Sequence, residues 1–227
     1  MSTLTTPGRL VSPTPRATPF FVPKLLASAA ILTLAAGFVF RNVFHYYLNY
    51  NQAAFTDGAP NYWIMRGWLL MHITGGMVAL LIGPWQFWTG FRARYFRVHR
   101  LMGKIFLGAV AVGSIGAFRM AVGTTFGWAF GLALVMLAAA WVTTAGMAYL
   151  AIRRGLVQIH KEWMVRAYVV TFAFVIFRVL NDYGPSSKLE PAGDRIITIG
   201  WVCWVVPLMV TEVILQLRRM GKPVSPR

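Results

Sequence analysis

The chain has 227 residues, 57% of them hydrophobic and only 12% charged, with a mean hydropathy of +0.59. Soluble domains carry roughly a quarter charged residues, so this is the composition of a membrane protein. The net charge of +16 comes from short clusters between apolar runs, which argues against a nucleic-acid-binding stripe and suits the inner-face loops of a polytopic protein.

In chain order, residues 1–24 (MSTLTTPGRLVSPTPRATPFFVPK) are rich in Pro, Ser and Thr and carry Arg9, Arg16 and Lys24. They read as a disordered basic tail. The apolar run behind them reads as a retained anchor, because the basic region is long and no small-x-small site precedes Arg41. A helix needs about 20 apolar residues to cross the hydrocarbon. Six segments qualify, at roughly Leu25–Tyr46, Gly67–Trp88, Gly103–Val122, Gly127–Ile152, Trp163–Leu180 and Ile196–Leu217. The expected fold is all-α: one six-helix membrane domain over 25–217, closed by a basic tail at 218–227. His45–Arg66 is the longest expected loop. The single cysteine, Cys203, allows no intrachain disulfide and no cysteine metal cluster.

Orientation follows from the connections. Arg92, Arg94, Arg97, Arg100 and Lys104 join spans two and three; Arg153, Arg154 and Lys161 join four and five; Arg218, Arg219, Lys222 and Arg227 end the chain. The alternate loops hold Asp57, Asp182, Glu190 and Asp194 with few bases. Both termini are therefore expected in the cytoplasm.

Polar residues inside apolar runs are the candidates for function, because intramembrane charge is costly and turns to the bundle interior. In the second span, His72, Gly76, Ala79 and Gly83 recur at i, i+4, i+7 and i+11, and Gln86 falls on the same stripe, 14 positions after His72. The glycines leave room for a neighbouring helix or a flat ligand. Eleven uncharged residues separate Arg166 from Arg178. They cover about 18 Å at 1.5 Å per residue, short of the roughly 30 Å core. At least one of these arginines must reach out from within the membrane. The spacing predicts an outer group of His72, Arg119 and Arg178. With only six acids in the chain, a bound anion is a fitting partner for it. At the inner face, His99 and His160 open spans three and five, near Gln86, Arg100 and Arg166.

His72 with Gly75-Gly76, GPWQF (Gly83–Phe87), HRLMG (His99–Gly103), HKEWMVRAYVVTFAFVIFR (His160–Arg178) and WVCWVVPLMVTE (Trp201–Glu212) together resemble an uncharacterised bacterial membrane-protein family, the domain of unknown function 2306. The resemblance covers about residues 65–215. It implies a polytopic fold in a bacterial cytoplasmic membrane, and it implies no activity.

Three readings of function follow. The His/Arg-lined site would bind a small ligand such as a lipid, a quinone or an anion. Alternatively His99 and His160, at matching depth, would hold a b-type haem for transmembrane electron transfer. Alternatively the polar residues would be interhelical hydrogen bonds of a non-catalytic assembly protein. A zinc hydrolase would need three ligands around one metal, whereas His72 lies most of a membrane thickness from His99 and His160. No Ser–His–Asp set, phosphate loop or carboxylate pair is present.

Overall fold

The computed structural model describes residues 21–56, 62–184 and 192–221. Among them every regular element is a helix: α1 (Phe21–Asn42), α2 (Phe44–Leu48), α3 (Gln52–Thr56), α4 (Arg66–Phe87), α5 (Thr89–Arg94), α6 (Phe96–Val122), α7 (Trp128–Arg153), α8 (Val157–Thr171), α9 (Ala173–Asp182) and α10 (Ala192–Met220). Among the described residues six spans are long and apolar enough to cross a membrane, as the hydropathy predicts. Most of the expected N-terminal tail and the last six residues lie outside the described residues, although Phe21–Lys24 belong to α1 and Arg218–Met220 to α10.

The chain folds as neighbouring antiparallel helices. α4 packs on α6, α6 on α7 and α7 on α8, with α1 against α4 and α10 against α7, α8 and α9. Short turns make this arrangement. Gly155 sits at φ +73°, and the amides of Leu156 and Gly155 bond back to the carbonyls of Ala151 and Ile152 at 2.9 and 3.1 Å. This is the glycine-dependent cap that ends α7 and turns the chain into α8.

The tightest contact is α4 on α6, and small residues create it. A Cβ on Gly75 would lie 2.5 Å from the Ala109 carbonyl, and one on Gly116 would lie 2.5 Å from the Trp68 carbonyl. Backbones meet here because no side chain intervenes. Further along α4, a Cβ on Gly83 would overlap the Tyr168 ring of α8. Gly76 has nothing within 4 Å of such an atom. The glycines of α4 thus serve two purposes. Gly75 and Gly83 admit neighbours, and Gly76 leaves space open.

Two expectations are corrected. The connection His45–Arg66 is not an open loop, since it carries α2 and α3. Tyr46 and Phe55 are buried there against Leu69, with Tyr62 and Trp63 packed around them. Aromatic burial, invisible to a hydropathy window, folds this segment over one end of the bundle. The fifth span is also not one helix. It begins at Val157 and breaks at Phe172 between α8 and α9. The Thr171 hydroxyl turns back to the Ala167 carbonyl at 2.8 Å, a local bond that competes with the helix ladder and bends it.

Candidate ligand cavity

Beside the break, Thr171 and Phe174 line a partly open cavity of about 290 Å³, to which all six long spans contribute, on the side away from the basic loops. Thr171, Phe174, Arg178 and Asn181 line it from α8 and α9, at the i, i+3, i+7, i+10 spacing of one helical face. His72 and Gly76 line the α4 wall, Trp141 and Phe130 the α7 wall, and Asn42, Tyr46 and Tyr62 the end nearest the cap. The walls are mainly aromatic and aliphatic, with few polar groups, which is the usual composition of a small-molecule site.

His72 is held by the α4–α6 crossing. Its Nδ1 lies 3.0 Å from the Gly113 carbonyl. Gly113 and Gly75 are in backbone contact, so the imidazole reaches the neighbouring main chain. A carbonyl only accepts, so Nδ1 carries the hydrogen; in the neutral ring Nε2 then holds the lone pair. Phe174 and Trp141 meet the imidazole edge-on, with ring centroids 5.5 and 6.3 Å away. Trp141 donates to the Thr171 hydroxyl at 2.9 Å, so both these polar groups are already satisfied.

Arg178 lies one turn beyond Phe174 on the same face. Among the described residues it makes no ion pair, and no carboxylate lines the cavity. Its charge acts on Tyr62: burial and neighbouring Tyr46 push that phenol above its ordinary value, and Arg178 opposes them.

The expected outer group is thus divided. His72 and Arg178 share the cavity, whereas Arg119 is exposed near the end of α6, beside Gly123, and does not line it. Arg119 is one residue before Met120, which does face the cavity; a one-residue step turns a helical side chain by about 100°.

The remaining candidates lie toward the basic end. Gln86 is buried beside Gly103, and its Nε2 has no hydrogen-bond partner among the described residues. His99 stacks on Phe96, and its Nδ1 is likewise buried without a partner. His160 Nδ1 donates to the Ala148 carbonyl at 2.9 Å. Arg100 is exposed. Arg166 is 8% exposed and donates twice to Glu212 of α10, at 2.9 and 2.5 Å, while lying over the Trp163 ring at 4.8 Å. A second pair, Glu162 with Arg219, ties the same two helices. None of these five candidates lines the cavity. No group of three metal-ligating side chains occurs among the described residues.

Sequence reasoning missed Trp141, Thr171, Asn42 and Tyr62. Trp141 and Thr171 sit in apolar runs where their polar atoms leave no trace in the hydropathy. Asn42 was obscured by its position at a helix end, and Tyr62 by its assignment to a loop.

The profile of a family described as a predicted membrane protein (DUF2306) matches residues 69–215. No curated protein and no solved structure matches the chain.

Proposed function

As the chain belongs to the DUF2306 family of predicted membrane proteins, we propose that it is an integral membrane protein whose function is to bind a small amphipathic molecule in the cavity between its helices. The observation that carries this reading is the placement of one cation, Arg178, and one imidazole, His72, on the wall of a mainly apolar cavity. A guanidinium in a bundle with no ion pair among the described residues is costly. An oxygen-bearing headgroup would offset that cost, and the aromatic walls would take the apolar body of the ligand. The distribution of its basic loops supports both termini inside, which assigns the cavity to the outer half of the bilayer, and the family resemblance supports a bacterial cytoplasmic membrane.

The test is extraction and mass spectrometry of small molecules that co-purify with the wild-type protein, with Arg178→Ala and with Gly76→Leu. Gly76 faces open space, so leucine there fills cavity volume with little strain on the fold. The reading expects a defined molecule with the wild-type protein and its loss from both variants. An unchanged set of molecules in folded Gly76→Leu protein overturns it.

A second reading has one observation of its own. His160 Nδ1 is committed to a backbone carbonyl, the arrangement that orients imidazole Nε2 for a metal, and His160 acts electrostatically on His99. Haem b between these two histidines would give a sharp α band in a reduced-minus-oxidised spectrum. That band would vanish in His99→Ala and His160→Ala. A flat spectrum from folded protein made with ample iron removes this reading.

A further inference from the structure

We propose that the cavity selects a hydroquinone over the corresponding quinone, because His72 offers it a hydrogen-bond acceptor and not a donor. This rests on the cavity being a ligand site, and it names the ligand's chemical class.

The argument begins with the tautomer. The Gly113 carbonyl is 3.0 Å from Nδ1 and can only accept, so the ring hydrogen is on that nitrogen. Gly113 is pinned in place by the contact with Gly75 and by the Trp141 ring, within 3.1 Å of where its Cβ would be. The bond cannot be exchanged by sliding α6. A second hydrogen on Nε2 would make an imidazolium in a cavity with no carboxylate among the described residues of its wall, which already holds the fixed charge of Arg178. Burying an unbalanced charge is expensive. The free nitrogen therefore carries a lone pair, and among the described residues nothing donates to it.

The polar groups next to His72 are already engaged. Trp141 and Thr171 bond to each other, and the Thr171 hydrogen goes to the Ala167 carbonyl. Asn42, Tyr46, Tyr62 and Asn181 line the far end of the cavity, so beside the Trp141–Thr171 pair the wall offers one acceptor, His72, with the donor-only Arg178 further along. Both line the one cavity: Phe174 lies 5.5 Å from His72, and Arg178 stands four residues, about 6 Å along the axis, beyond Phe174.

A flat ring with oxygens at opposite ends satisfies both, provided the oxygen at His72 carries a hydrogen. A hydroquinone gives a hydroxyl to Nε2 and presents oxygen lone pairs to the guanidinium. The quinone keeps the second contact. At His72 it sets carbonyl lone pairs against a nitrogen lone pair, leaving two buried acceptors facing each other, which costs on the scale of a lost hydrogen bond.

The experiment uses the full chain in detergent, titrated anaerobically by calorimetry with a short-chain benzohydroquinone and separately with its benzoquinone. The wild-type protein should bind the hydroquinone about tenfold or more tightly, the ratio for a deficit near 1.4 kcal/mol. In His72→Phe the preference should fall toward one through loss of hydroquinone affinity, and Arg178→Ala should weaken both probes. Equal affinities in the wild-type protein overturn the inference whether or not His72→Phe folds, as does a preference that survives in folded His72→Phe. If neither probe binds but another molecule co-purifies and is lost in Gly76→Leu, the hydroquinone assignment fails and the cavity reading stands. If neither probe binds and nothing co-purifies in a Gly76-dependent way, both fail.

Discussion

The hydroxyl of Tyr168 on α8 donates to the backbone carbonyl of Leu80 on α4 at 2.9 Å. In an unbroken helix that carbonyl would accept from the amide four residues on, but position 84 is Pro84, which has no N–H. A side chain from a neighbouring helix thus supplies the hydrogen that proline withholds. An unsatisfied carbonyl in a bilayer has no water to turn to. Gly83 makes the exchange feasible, because any side chain there would occupy the space of the Tyr168 ring.

Tyr168→Phe should therefore lower stability by about 0.5–2 kcal/mol, one buried hydrogen bond. Gly83→Ala should cost about 1–3 kcal/mol by overpacking. In a Tyr168→Ala background the Gly83→Ala cost should largely disappear, since the obstructing ring is gone. Denaturant titration of the four proteins in mixed micelles reads the cycle; strictly additive losses would mean that ring and glycine do not meet.

Adjacent glycines should respond in opposite ways. Gly75→Ala pushes a methyl into the Ala109 carbonyl and should destabilise by about 1–3 kcal/mol, disturbing the support of His72 with it. Gly76→Ala, with open space around the new atom, should leave the melting temperature within a degree or two of wild type, since a few tenths of a kcal/mol move it little. Thermal melts of the two single variants suffice.

Arg166→Ala should leave Glu212 without its partner and reduce stability by about 1–3 kcal/mol. This is below the full cost of breaking a buried pair, because the Glu212 side chain is 45% exposed. The exchange variant, Arg166→Glu with Glu212→Arg, should recover part of the loss. No recovery in either stability or expression would assign the effect of Arg166 to its contact with Trp163.

Tyr62 titrates outside the membrane spans, and its pKa is raised by burial, then by Tyr46, against the pull of Arg178. Its folded value lies above the unfolded value of about 10. The phenol's contribution to stability is complete below that pH and is lost as pH rises through the folded value. Removing the guanidinium in Arg178→Ala should move the phenol titration further up. Phenolate absorbance, with Tyr62→Phe as the blank, measures it; a downward move would mean that Arg178 does not act on this ring.

Fold class and span number were legible in the sequence because a lipid-facing helix must be apolar along about 20 residues, a demand that no tertiary contact relaxes. The stripe of His72, Gly76, Ala79, Gly83 and Gln86 was legible for the same reason that any helical face is. Its division of labour was not. Whether a glycine admits a helix, a ring or empty space depends on what stands opposite, and only the assembled bundle places Ala109 beside Gly75, Tyr168 beside Gly83 and nothing beside Gly76. Depth alone grouped Arg119 with Arg178. Azimuth separates them, and one residue of helical phase is beyond what a span boundary uncertain by two to four residues can fix.

The two charged ties between α8 and α10 bear on how the protein is made. α8 leaves the ribosome well before α10 does, carrying Glu162 and Arg166 toward the bilayer with neither partner yet synthesised. On insertion scales a lone charge near mid-helix costs up to about 2.5–3.5 kcal/mol. The interhelical pairs of α8 are therefore completed only when Glu212 and Arg219 emerge, so the last helix should strengthen the hold of the fifth span. A nascent chain stopped before Ala192 would leave Glu162 and Arg166 with only each other, four residues apart on one helix, as opposite charges.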